Sequence, residues 1–211
     1  MKTTEKILCI TFLVGLILKL ALIPGSGILI TLSLLILSFL YFYLGFAFFN
    51  NIPFKRIFNK NSYKEIKPLR IVGAIAAGIV LSTISIGLLF KIQNWPLASS
   101  FLIVGLITSF IILVITTFKS FKTKDSYYTR ILKRFIPAII LTGFFLIVSN
   151  LSFVKFQYRN HPDYIKAYQK LQNDPTNDSL RENLYLEDRK VFMDSVTFRA
   201  YKGYLDQHKE K

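Results

Sequence analysis

The sequence predicts an all-α integral membrane protein: five transmembrane helices, arranged as two related hairpins plus one, with a C-terminal helical tail outside the membrane. Three observations carry that reading. Hydrophobic residues make up 52% of the 211 residues and charged ones only 18%, with a mean hydropathy of +0.42; soluble domains hold about 25% charged residues. Five apolar runs of near-membrane length recur, separated by turn or basic segments. The net charge of +15 is concentrated in the short segments between those runs, a positive-inside pattern rather than a groove for phosphates. No nucleic-acid partner is expected. The alternating polarity of a membrane β-barrel is missing, and spans whose backbone must satisfy itself in lipid are then helices.

The leader 1–6 is short and basic. The first span, 7–23, is interrupted only by Lys19. Its length, the late lysine and the lack of a small-residue cleavage site mark a retained anchor rather than a signal peptide. Pro24-Gly25-Ser26-Gly27 is a turn signal. The second span, 28–49, exceeds the roughly 20 residues that cross a bilayer. A basic segment follows, with Lys55, Arg56, Lys60, Lys64, Lys67 and Arg70 against Glu65. In the third span, 71–90, Ala74, Gly78 and Ser82 recur every four residues. Small residues at that spacing predict close approach of a second helix.

Lys91–Pro96 forms the joint to the fourth span, 97–118. Here Trp95 suits the interfacial layer, Pro96 the first turn of the next helix, and Gln93 and Asn94 the free carbonyls of the helix before. Lys119–Arg134 is basic again, with Asp125 its one acid. The fifth span is expected at 135–154, with Pro137 near its start. Five spans with the leader inside put all three basic segments in the cytoplasm and residues 155–211 outside a bacterial inner membrane.

Aligning Gly15–Pro24 with Gly87–Pro96 gives an internal repeat at 72 residues, in which Lys19 matches Lys91 and Pro24 matches Pro96. Each copy reads as a hairpin with a Pro turn at the outer face. The tail differs: it holds 11 bases and 9 acids. Pro162 opens a helical pattern, Asn173-Asp174-Pro175 breaks it, and Ser179…Glu182 fits a capping box. Fewer than 60 residues bury only a small core alone. A contact through 162–205, with an envelope protein or a second copy, is therefore expected.

Chemistry-bearing constellations are not evident. Cys9 is the lone cysteine, and His161 and His208 stand apart, so neither metal nor other cofactor is expected and the protein reads as non-enzymatic. A membrane enzyme would have only Lys91, Lys19 and His161 to work with. Both lysines lie close to a helix end, where snorkelling to headgroups is inexpensive. A transporter or channel is the alternative, with Ser82, Thr83, Thr108 and Ser109 as its polar midplane candidates. No Asp or Glu falls inside the five runs, which counts against ion coupling.

Phe90-Lys91-Ile92-Gln93-Asn94-Trp95-Pro96-Leu97-Ala98 resembles the Phe-Lys-Ile-x-His-Trp-Pro-Gly-Ala signature in the membrane hairpins of GldL-related proteins of Bacteroidetes. Asn94 stands for the His and Leu97 for the Gly. The resemblance covers the third and fourth spans; the earlier copy keeps Lys19, Pro24 and Gly25. GldL is an inner-membrane subunit of the gliding-motility and type IX secretion motor. The resemblance implies a shared hairpin and lineage. It does not extend to motor activity, for which an acidic residue in the hairpin is expected.

Overall fold

A computed structural model describes residues 2–123 and 125–209. Lys124, part of the second basic segment, and the side chain of His208 lie outside the described residues. Nine α-helices and two short 3-10 turns make up the described residues, without strands. The helices are α1 (Lys2–Leu20), α2 (Ser26–Phe49), α3 (Pro68–Ile92), α4 (Ala98–Thr123), α5 (Ser126–Ile147), α6 (Asn150–Gln157), α7 (Pro162–Asn173), α8 (Asp178–Phe192) and α9 (Ser195–Lys209). Two compact units result, one of residues 1–19 with 25–149, the other of 20–24 with 150–211.

Helices α2, α3 and α4 are each long and apolar enough to cross a membrane. α5 and α6 meet that requirement only together, across the break at Val148–Ser149. The expected fifth span, 135–154, is thereby corrected. Asp125 accepts from the backbone N–H of Tyr127 and starts α5 early. Pro137 lies well inside it rather than near its start. α1 is also shifted from its expected 7–23. It takes in Glu5 and Lys6 and stops at Leu20, so its apolar stretch carries more charge than that of α2, α3 or α4.

The core of the first unit lies where α3 packs between α2 and α4. Ala74, Gly78 and Ser82 are all buried and face α2. A Cβ on Gly78 would collide with the Tyr41 carbonyl oxygen, and one on Gly45 would lie 2.9 Å from the Gly78 Cα. The Ser82 and Ser38 hydroxyls bond across this contact at 2.7 Å. On the other side of α3, Cβ atoms on Gly87 and Gly105 would each come within 2.8 Å of Leu102 and Ile84 respectively. Backbone proximity of this kind is how helices gain dispersion contact in lipid, where water exclusion gives no drive.

The 72-residue repeat is visible in geometry. Gly15 meets Ile30 as Gly87 meets Leu102, and both partners are fully buried. Leu22 and Asn94, 72 apart, both have φ of 56°. Gly25 and Leu97, also 72 apart, have φ of 84° and 64°.

In the second unit, α7 packs on α8. The tail breaks a second time at Met193–Asp194, between α8 and α9. The expected capping box is replaced by Asn177, whose side chain accepts from the Leu180 N–H. Asn177 sits one residue before the helix, where its oxygen reaches the free N–H groups; Ser179 is already helical.

Candidate functional site

The joint at the end of α3 is a Schellman cap. Asn94 takes the left-handed conformation, Trp95 N–H donates to the Phe90 carbonyl at 2.8 Å, and Asn94 N–H to that of Lys91 at 3.3 Å. The Phe90 and Trp95 rings meet edge to face at 5.3 Å, and Phe101 of α4 adds to Phe90 at 5.4 Å. Aromatic Phe90 and Trp95 thus occupy the two positions whose hydrophobic contact accompanies this motif. Pro96 lies in the turn ahead of α4, not in its first turn. Leu97 follows with positive φ, a conformation that favours glycine.

Gln93 is the C-cap of α3 through its backbone N–H, but its side chain turns away from that helix. Its amide nitrogen donates to the Gly27 carbonyl and the Thr31 hydroxyl on α2, and its oxygen accepts from Lys19 Nζ at 3.1 Å. The two joints are therefore tied together: Lys19 reaches the second through Gln93. Lys91 is buried at the end of α3, where a cation suits the helix dipole. Pro24 lies in the turn between α1 and α2.

At the opposite ends of these helices the three basic segments come together. Arg134 of α5 forks onto Glu5 of α1, at 2.7 and 2.8 Å. Tyr41 of α2 donates to the same carboxylate at 2.6 Å, and Arg134 covers the Phe48 ring at 4.4 Å. Arg130 donates to the Phe49 carbonyl at the end of α2. Arg70 pairs with Asp125 at 2.7 Å and donates to Asn50. Sequence reasoning placed Glu5 in the leader and missed this cluster. The signal was there: Glu5 is the sole acid among the first 64 residues, directly before an apolar run.

The polar midplane candidates do not converge. Thr83 and Thr108 bond back to their own helices, at Ile79 and Val104. Ser82 is held by Ser38. Ser109 is fully buried with no hydrogen-bond partner among the described residues; the carbonyl it would use, Gly105, is approached by Thr108 at 3.2 Å. Among the described residues, no group of three metal-ligating side chains is found.

In the tail, Tyr158 stacks on Tyr164 at 3.7 Å and donates to Asp188 of α8. Burial pushes the Tyr164 phenol up to about 12, and burial raises Tyr158 as well. Asp194, starting α9, is held below the usual carboxylate range by the Thr197 N–H and hydroxyl and the Val196 N–H. His161 and Asp163 line a small cleft with Glu187 and Lys190.

Residues 72–135 match the GldL N-terminal domain. The GldL-like region takes in most of α3, all of α4 and the start of α5, less than a third of the chain, and the Phe90–Ala98 run falls inside it. No curated protein and no solved structure matches the chain significantly.

Proposed function

We propose that the protein is a non-enzymatic multi-pass subunit of a bacterial inner membrane, serving as a scaffold whose tail meets an envelope partner. In this reading α1 to α4 and the α5–α6 pair make five crossings, the Glu5–Arg134 end faces the cytoplasm, and the tail after α6 faces the periplasm. The GldL-like region favours a partner in gliding or secretion machinery. One observation carries the scaffold role. Three of the four midplane hydroxyls, those of Ser82, Thr83 and Thr108, are spent on helix-to-helix and helix-to-own-backbone bonds, while the tail exposes Phe192, Val196 and Tyr204. Contiguous apolar patches mark docking surfaces, and these side chains are the ones a partner of the tail would cover in this reading. Residues 162–211 are the part whose removal tests this. Their deletion is expected to leave membrane insertion intact and to abolish one crosslinked species in cells. An unchanged crosslinking pattern contradicts the scaffold role. Reconstituted flux that depends on Ser82 or Ser109 would favour the alternative, a small transporter or channel.

A further inference from the structure

The segment between α2 and α3 is built to lie on lipid. It opens with a second Schellman cap: Asn51 has φ of 61°, Ile52 N–H donates to the Ala47 carbonyl at 2.9 Å and Asn51 N–H to that of Phe48. The cap turns the chain back along α2. Ile52 and Ile57 are buried against Ala47, with Leu44, Phe46, Tyr63 and Ile66 packed around them. Tyr63 closes the segment by donating to the Ile57 carbonyl at 2.6 Å. Residues 44–47 lie two to five positions before the end of α2, so the segment sits beside the helix roughly 3–8 Å below its end, at 1.5 Å per residue. It does not project into water beyond the bundle.

What it leaves outside is specific. Phe58 is 94% exposed and Phe54 62%. Around them Lys55, Arg56, Lys60, Lys64 and Lys67 are all exposed, with Glu65 the segment's one acid. We propose that residues 53–67 form an anionic-lipid platform: Phe54 and Phe58 enter the headgroup–acyl boundary and the five cations meet phosphates of anionic headgroups. Interfacial elements bury their apolar groups about 5–10 Å into that boundary, a range that overlaps the roughly 3–8 Å of the fold-back. Each basic side chain near an anionic surface adds about 1 kcal/mol of attraction. The inference rests on the membrane reading of α2, α3 and α4, and not on the tail's partner.

The test uses the full chain in lipid nanodiscs, with Cys9→Ala and an environment-sensitive fluorophore on Asn61→Cys, an exposed position of the same segment that leaves Phe54 and Phe58 in place. Nanodiscs of phosphatidylcholine alone are compared with ones containing phosphatidylglycerol. A headgroup-proximal nitroxide lipid is expected to quench the label at least about twofold more in the anionic nanodiscs, with the difference lost at high salt. Lys55→Glu with Arg56→Glu is expected to bring quenching down to the phosphatidylcholine level. Water-like emission without lipid quenching in both nanodiscs overturns the proposal while leaving the protein in the membrane. A label shielded from aqueous iodide yet unreached by the lipid nitroxide also overturns it, because protein then covers the platform. Neither result bears on the tail deletion.

Discussion

Glu5 and Arg134 form the most buried of the ion pairs found among the described residues. Their side chains are 11% and 15% exposed, and two charges removed from water are tolerable only when each satisfies the other. Here Arg134 supplies two bonds and Tyr41 a third. Arg134→Met strands the carboxylate and is expected to lower stability by about 3–5 kcal/mol, whereas Glu5→Gln with Arg134→Met recovers most of that loss. Thermal unfolding in detergent, run as a double-mutant cycle, measures both. Leu97 makes the opposite case. It is exposed at 67% and held at positive φ, where a side chain costs about 1–2 kcal/mol. Leu97→Gly is expected to raise stability by about 1 kcal/mol in the same assay. A fall would show that the side chain has a packing role that outweighs the strain.

The helices were mostly legible because apolar length and Pro, Gly and Asn punctuation act locally. α2, α3 and α4 begin and end within three residues of the expected limits, apart from the charged last turn of α4. α5 was misplaced because its early start depends on Asp125 bonding the Tyr127 N–H, one acid in a basic run. Its end at Val148–Ser149 is announced by neither Gly nor Pro. Helix contacts show the same division. The Ala74, Gly78, Ser82 stripe is a local pattern, but its partner on α2 is not. Gly78→Ala is expected to force α2 and α3 apart and cost about 1–3 kcal/mol. Gly143→Ala, with open space at its Cβ position, is expected to be neutral or mildly stabilising. Equal effects from the two would mean that α2 and α3 do not approach as closely as this.

The whole molecule joins distant parts of the chain at each end of the bundle, and this was the part hidden from sequence reasoning. Glu5 and Arg134 stand 129 positions apart, Lys19 and Gln93 74. No local pattern links such pairs. The loop charges do predict which ends assemble, since the leader, 50–70 and 119–134 meet through Glu5–Arg134, Arg70–Asp125 and Arg130–Phe49. The 72-residue repeat predicts that the two joints resemble each other, and their backbones do. The acidic residue that motor activity would require is missing from the five apolar runs. The one buried carboxylate described at the basic end, Glu5, is already neutralised by an arginine fork.

The central claim is that the basic end and the tail lie on opposite sides of the membrane. Single cysteines at Asn94→Cys, Thr123→Cys and Lys166→Cys, each in a Cys9→Ala chain, place one probe at the joint, one at the basic end and one on α7. An impermeant maleimide applied to intact cells from outside is expected to label 94 and 166, and to reach 123 only after the membrane is opened. Labelling of 123 from outside, with 94 and 166 protected, would contradict the account.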